Sequence, residues 1–195
     1  MKIDLHVHTK ISRCSNLPWE DILNNAKLHG LDGVCITDHH SMEIKNYISE
    51  GILENGLCVI FGMEYSTDDG DFLVFGPYEN LPMGLSAEKL LKHINQSGGV
   101  AIVAHPFRAS RPASERVVAS GLCKIVEAIN GGNRVEENDA VKKWKERYDI
   151  KLTGGSDAHA LVEMGRAATI FDDPISSRQE LILALKNGNY RPVSF

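Results

Sequence analysis

The sequence predicts an α/β fold of parallel strands joined by helical crossovers, and three observations carry the prediction. Short apolar runs rich in Val and Ile alternate with longer stretches of helical period. No Pro/Ser-rich linker, low-complexity tract or internal repeat interrupts the alternation. The chain has 195 residues, within the ~100–200 usual for one domain, so residues 1–195 are expected to form a single domain. A composition of 43% hydrophobic and 24% charged residues excludes a disordered tail, a collagen-like repeat and a coiled coil. Right-handed crossovers follow from the alternation, and an open sheet and a closed barrel both satisfy it.

Strands are expected at Lys2 to Val7, Gly33 to Thr37, Leu57 to Phe61, Phe72 to Phe75, Val100 to Ala104, Lys124 to Ile129, Ile150 to Thr153 and Ala167 to Phe171. A first helix opens at Pro18-Trp19-Glu20, where proline suits an early helical position and acids occupy the first turn, and Gly30 closes it. Ser86 is placed to cap a second, carried by Lys89, Leu90, Leu91, Lys92 and Ile94 and ended by Gly98-Gly99. Arg134 to Tyr148 and Ser176 to Lys186 give two more, the last stopping at Asn187-Gly188.

A net charge of −5 argues against a surface built to follow a nucleic-acid backbone or an anionic membrane, so no extended nucleic-acid binding is expected. The longest apolar runs, such as Val100 to Ala104, fall far short of the ~20 residues of a membrane span. Met1-Lys2-Ile3-Asp4-Leu5-His6 carries an acid and a histidine where a secretory signal has its apolar stretch, so the chain is expected to start as folded protein. Cys14, Cys35, Cys58 and Cys123 are widely spaced without a C-x-x-C pair, a usage that fits a reducing cytoplasm.

The histidines are unevenly placed. His29 beside Gly30 suits a helix C-terminus and His93 falls on a wet helix face, so neither is given chemistry. His6, His8, His39, His40, His105 and His159 lie at or just past the C-terminal ends of expected strands, with Asp38, Glu64 and Asp157 beside them. In parallel α/β folds those ends form the active-site face. Period two puts Asp4, His6 and His8 on one side of the first strand and Ile3, Leu5 and Val7 on the other. Ionisable groups on a buried face are costly unless paired or bound to a cation. Taken singly, each residue reads as a separately satisfied strand end. Jointly they read as ligands for zinc, iron or manganese, with no cysteine pair to make a closed structural site. Converging carboxylates repel an anionic substrate, and two or three divalent ions invert that field.

Five pieces in order, Asp4-Leu5-His6-Val7-His8-Thr9, Thr37-Asp38-His39, Gly62-Met63-Glu64, Ala104-His105-Pro106 and Gly155-Ser156-Asp157-Ala158-His159, resemble the polymerase and histidinol phosphatase (PHP) superfamily over nearly the whole chain. The resemblance implies a distorted seven-stranded β/α barrel with a two- or three-metal centre of zinc, manganese or iron that hydrolyses a phosphoester. It implies that His6, His8, Glu64 and Asp157 hold a first ion and that Glu64 bridges to a second held by His105. His39 and His159 then hold a third, close to phosphate. Three departures bear on this. Some relatives carry an Asp or His shortly after the first motif, where this chain reads Lys10-Ile11-Ser12-Arg13-Cys14-Ser15. Others carry a second-site histidine after the sixth strand, where Glu127-Ala128-Ile129-Asn130 offers Asn130 as a weaker ligand. Nucleotide-hydrolysing relatives often insert a large segment between the Glu and His-Pro motifs, whereas only a strand and a helix separate Glu64 from His105. That favours an accessible pocket for a small phosphomonoester.

On this reading a small phosphorylated substrate is attacked by a hydroxide bridging two ions. Arg108, soon after His105, and Arg134, just past Asn130, are expected on the active-site face, where each offers a planar donor fork to phosphate. The competing reading of each is a solvated loop arginine. Arg166 precedes the last strand and is expected on the opposite, stabilising face unless its loop folds back. Asp38 is expected to orient a ligand histidine. Two rival functions use the same residues. One is an amidohydrolase-like enzyme cleaving C–N bonds, weakened by the lack of an obvious metal-bridging lysine. The other is a non-catalytic module that keeps its metals for stability or partner binding, weakened by the nearly complete ligand set.

Overall fold

The computed structural model describes residues 1–195. In chain order the strands are β1 (Lys2–Val7), β2 (Gly33–Ile36), β3 (Gly51–Ile52), β4 (Cys58–Phe61), β5 (Met63–Thr67), β6 (Gly70–Phe75), β7 (Val100–Val103), β8 (Ile125–Asn130), β9 (Lys151–Gly155), β10 (Ala167–Phe171) and β11 (Tyr190–Ser194). The helices are α1 (Trp19–Asn25), α2 (Ala87–Gln96), α3 (Arg116–Ala119), α4 (Val135–Asp139), α5 (Lys142–Arg147) and α6 (Arg178–Asn187). No helix is long and apolar enough to cross a membrane. One sheet has the order β11-β10-β1-β2-β4-β3 and the other β5-β6-β7-β8-β9. Strands β1, β2 and β4 run parallel, as do β7, β8 and β9. The remaining pairs are antiparallel, so the all-parallel expectation holds for these two triplets alone.

All eight expected strands are present within a few residues, and β3, β5 and β11 are additional. Strand β5 follows β4 after the single residue Gly62, where an added Cβ would sit 2.7 Å from the Phe75 ring. Glycine alone lets the chain turn this corner from one sheet into the other. The ladders do not close into the seven-stranded barrel that the resemblance implies. Single bridges span the two gaps, His39 to Glu64 and Val7 to Ala158. The helix expected from Arg134 to Tyr148 is split into α4 and α5. Between them the N–H groups of Val141, Lys143 and Trp144 bond three residues back, a tighter winding than the α-helix. Asn138 sits at the break, its side chain accepting the Asn130 N–H at 3.1 Å and donating to the Asn130 carbonyl at 3.0 Å.

Two apolar cores flank the strands. The outer one packs Ile22 of α1, Leu90, Leu91 and Ile94 of α2 and Trp144 of α5 against Val34, Val59, Val74 and Val103. Each such aliphatic side chain contributes about 1.5–3 kcal/mol by leaving water. The inner core is shared by both sheets, with Cys35 and Ile60 from one, Leu73, Phe75 and Ile102 from the other, and Leu181 and Leu185 of α6. Helix α6 thereby closes the inner core at the N-terminal ends of the parallel strands, and the polar residues gather at the opposite ends.

Strict alternation fails in β1. Asp4 pairs with Val34 and Val7 with Ile36, so three steps of β1 oppose two of β2, a β-bulge. Ile3 and Leu5 face the inner core, Val7 joins the outer one, and His6 and His8 both turn toward the polar cluster. Asp4 does not share their face as expected. Its carboxylate accepts the backbone N–H groups of His6 at 3.2 Å, Ser156 at 2.8 Å and Gly165 at 3.0 Å. Burial pushes its carboxyl up to about 6, against the hydrogen bonds from Ser156, Gly165 and His6. Asp4 is therefore the tie that holds the chain after β9 and before β10 against β1. Asp4→Ala strands three buried donors, each costing ~1–3 kcal/mol, so urea unfolding is expected to show a loss of at least about 3 kcal/mol. A loss below about 1 kcal/mol would show that these donors find other partners and that Asp4 is no such tie.

Candidate metal centre

The end of β1, the start of β5 and the turn after β9 bring four side chains to one point. His6 Nε2 and His8 Nε2 are 3.0 Å apart. Glu64 Oε2 lies 3.4 Å from the first and 3.2 Å from the second. Asp157 Oδ1 lies 3.3 Å and 3.2 Å from the same two atoms. All four residues are buried. Donor atoms placed tetrahedrally at ~2.0–2.1 Å from an ion stand about 3.3 Å apart, so this spacing suits one. The approach of β9 to β1 depends on Gly155, where an added Cβ would meet His6 Cβ at 2.6 Å. His40, His105 and Asp157 are the only non-glycine residues with positive φ, at 52°, 28° and 55°. Strain of ~1–3 kcal/mol each is thus concentrated at the strand ends that carry the polar residues.

Hydrogen bonds fix which nitrogens face the point. His6 Nδ1 lies 3.0 Å from Glu127 Oε1, and a carboxylate only accepts, so Nδ1 carries the proton and Nε2 presents a lone pair. Ser12 Oγ donates to Asp38 Oδ1 at 2.6 Å, which leaves it to accept from His8 Nδ1 at 3.3 Å and from the His39 N–H at 3.0 Å. His8 therefore also presents Nε2 as an acceptor. Four acceptors with no donor among them repel unless a cation or a proton sits between them. Burial opposes charge on His6, yet Asp157, Glu127 and Glu64 together raise its pKa well above the ordinary value. Burial likewise opposes charge on His8, and hydrogen bonds to Asp157 and Glu64 prevail. Both acids are held below their usual range by the imidazoles despite their burial.

Two further groupings adjoin the first. Glu64 turns its other oxygen, Oε1, to His105 Nε2 at 2.9 Å, and ligand atoms of Glu64, Asp71 and His105 lie within 4.8 Å of one another. The same holds for His8, His39 and His159, with His39 Nδ1 3.1 Å from Glu64 Oε2. His159 Nδ1 is 2.8 Å from the Asp157 carbonyl. Asp38 touches neither His39 nor the centre through its side chain. It accepts from Thr9 N at 2.8 Å, Thr9 Oγ1 at 2.7 Å and Ser12 Oγ, and reaches His8 through Ser12. His40 turns away, its Nε2 accepting weakly from the Ser66 N–H at 3.4 Å and its ring edge-on to Tyr65. Cys14 is exposed and joins none of the groupings.

The polar residues expected to touch phosphate are redistributed. Arg108 Nη2 donates to Asp157 Oδ2 at 2.6 Å and to Asn130 Oδ1 at 2.8 Å, and its Nε donates to Asn133 at 2.8 Å. Asn130 Oδ1 also accepts the Gly132 N–H at 2.8 Å, and its Nδ2 donates to Glu127 at 2.8 Å. Arg134 is exposed and paired with Glu137 one turn on, away from the cluster, because it caps α4 instead of facing the strand ends. For Arg166 the alternative of a folded-back loop applies. The loop before β10 folds back under the pull of Asp4 on Gly165, and Arg166 lines a polar cavity of about 340 Å³ with Arg108, Ser156, Asp157 and His159.

The sequence pattern does not single out Glu127, Ser12 or Asp71. Glu127 is the one charged residue of β8, and it joins three elements by binding His6, the His105 N–H at 2.9 Å and Asn130. A lone acid within Ile125-Val126-Glu127-Ala128-Ile129 was the available signal. Ser12 carried none, since serine is ordinary in a loop.

Comparison with known proteins finds relatives of the sequence and of the fold. A probable phosphatase of Shewanella amazonensis is 26% identical over 217 residues, covering 92% of this chain and 86% of its own. An uncharacterized protein of Methanocaldococcus jannaschii is 35% identical over 120 residues, covering 55% of this chain and 68% of its own. The PHP-associated family model, PHP_C, matches residues 135–190. The chain belongs to the PHP superfamily. Among solved structures, PsfC from Pseudomonas syringae superposes with a TM-score of 0.81 at 21% identity, over 100% of this chain and 91% of that one. A Bifidobacterium adolescentis protein assigned as a metal-dependent phosphoesterase gives a TM-score of 0.63 at 17% identity, over 95% and 96% of the two chains. Endonuclease Q from Pyrococcus furiosus gives 0.73 at 21% identity, over 98% of this PHP chain and 57% of its own. Endonuclease Q is also known in complex with a 27-mer duplex, so the expectation that net charge excludes nucleic acid finds no support among the structural neighbours.

The four central residues make the stability of the metal-free protein depend on pH. Folding raises the pKa of His6 and His8, so their contribution is present below the ordinary 6.5 and is lost as pH rises through the folded values. Folding lowers Glu64 and Asp157, whose contribution is present above the ordinary 4.5 and 3.8 and is lost as pH falls. Chelator-treated protein is therefore expected to be most stable between pH 4.5 and 6.5 and to lose melting temperature above that window. Divalent ions should remove the alkaline loss by replacing the proton. A melting temperature that stays level or rises from about pH 6 to about pH 8 in chelator would contradict this electrostatic account.

Proposed function

We propose that this PHP protein is a metal-dependent phosphoesterase acting on a small phosphomonoester, and that residues 1–195 form one PHP domain. The observation that carries the reading is the position of Glu64, whose Oε2 faces His6 and His8 while its Oε1 faces His105. One carboxylate shared between two imidazole groupings can serve two neighbouring ions at once. On this reading His6, His8, Glu64 and Asp157 hold the first ion, Glu64 and His105 contribute to a second, and His39 and His159 serve a third. Zinc, manganese and iron all suit these donors. Bound divalent ions supply a water of near-neutral pKa and screen the charge of the phosphoryl group.

The chain's own residues do the rest. Glu127 and Ser12 hold His6 and His8 in the tautomer that leaves Nε2 available. Asn130 spends its carbonyl oxygen on Gly132 and Arg108, so its role is to position Arg108 and Glu127 instead of binding an ion. Arg108 keeps Nη1 without a hydrogen bond, the donor left for a phosphoryl oxygen. Arg166 lines the same polar cavity with its guanidinium 4.0 Å from Glu163, and the cavity's 340 Å³ and absence of apolar lining suit a phosphate with a small polar substituent. The similarity to endonuclease Q supports a phosphodiester in DNA as the alternative substrate.

A parallel assay of phosphomonoesters, an abasic DNA duplex and amides separates these readings. Phosphomonoesters are expected to be hydrolysed with inorganic phosphate as a competitive inhibitor. Glu64→Gln and Asp157→Asn should each lower turnover by orders of magnitude, with His93→Asn as a control. Arg108→Ala should lower kcat/KM at least about tenfold, the ~1.5–3 kcal/mol of a charge-assisted hydrogen bond. Cleavage of the duplex or of amides without phosphomonoesterase activity under any divalent metal would overturn the proposal.

A further inference from the structure

Strand β6 begins Gly70-Asp71, and period two places Asp71 on the face of Leu73 and Phe75, both in the inner core, while Phe72 and Val74 face outward. The Asp71 carbonyl accepts the Ala104 N–H at 2.9 Å, which sets Asp71 beside the residue preceding His105. Its side chain is 2% exposed. Oδ2 takes Arg111 Nε at 2.5 Å, whereas Oδ1 is buried with no hydrogen-bond partner at all. His105 Nδ1 is likewise buried and unpartnered, on a backbone held at positive φ. A buried carboxylate oxygen without a donor is costly to fold, and here it lies within reach of Glu64 and His105.

Resting on the metal-centre reading above, we infer that Asp71 completes the second cation site with Glu64 and His105. It thereby replaces a donor that Asn130 cannot supply. Asn130 has its oxygen committed to Gly132 and Arg108, so a site built on Glu64 and His105 alone has two protein ligands; Asp71 makes three. Two carboxylates and one imidazole form an oxygen-rich set that suits manganese or ferrous iron better than zinc. Half-exposed Arg111 supplies the positive charge paired with the oxygen that Asp71 turns outward.

The test counts ions without using turnover. Chelator-stripped protein is equilibrated with manganese, and bound metal per chain is measured by elemental analysis and by titration. Wild type is expected to bind at least two ions. Asp71→Ala and Asp71→Asn should each bind one fewer, or bind the weaker ion at least about tenfold less tightly. Arg111→Gln and the remote His93→Asn should keep the wild-type number. Because Asp71→Asn retains the size of the side chain and an acceptor for Arg111, it decides the matter if the alanine variant does not fold. Wild-type stoichiometry and affinity in the Asp71 variants would overturn the inference, as would an equal loss in Arg111→Gln, which marks Asp71 as a structural partner of that arginine. A single ion in wild type also overturns it while leaving the first site standing. No bound ion at all overturns the metal-centre reading itself.

Discussion

Four buried acceptor atoms, on His6, His8, Glu64 and Asp157, meet with the histidine nitrogens 3.0 to 3.4 Å from one another and from both carboxylates, and no donor among them. The rest of the molecule is arranged around that repulsion. Left bare, the cluster binds protons, which is why both histidines are raised and both acids lowered. A divalent ion satisfies all four at once. Desolvation weighs against charge at every one of these groups, and the interactions among them outweigh it, so the cluster survives only as a set.

Local distortions bring that set together. The bulge in β1 turns His6 inward without turning Asp4, and Gly155 lets β9 come close enough for Asp157 to meet the histidines. Left-handed backbone occurs at Asp157 itself and at His105, whose side chain adjoins the centre. The cost is met by neighbours that bind backbone and side chain together. Asp4 ties three N–H groups, Asp38 fixes the loop after β1, and Glu127 joins His6, His105 and Asn130. Removing one such acid leaves several donors stranded, so these positions matter to the geometry though they stand behind it.

Much of this was legible in the sequence. Strand positions followed from Val/Ile runs, and the gathering of His6, His8, Glu64, His105, Asp157 and His159 followed from their places at strand ends. What alternation could not show was where it breaks. A bulge inserts a residue without any change in composition, so alternation puts Asp4 on the wrong face of β1. Strand β5 was hidden because Gly62 gives it no loop to separate it from β4. Arg134 and Arg166 exchanged roles for a reason local to neither: Arg134 is drawn onto its own helix by Glu137, and Arg166 is carried inward by the hold of Asp4 on Gly165. Sheet closure is a long-range property, and β1 and the turn after β9 are joined by a single bridge that no local pattern encodes.

The central claim, that a cation occupies the point where the four acceptors meet, is tested most directly by anomalous diffraction from crystals equilibrated with manganese. The account predicts an anomalous peak about 2.0–2.3 Å from His6 Nε2, His8 Nε2, Glu64 Oε2 and Asp157 Oδ1 together. A map with no peak there, and with those four side chains undisplaced, would contradict it.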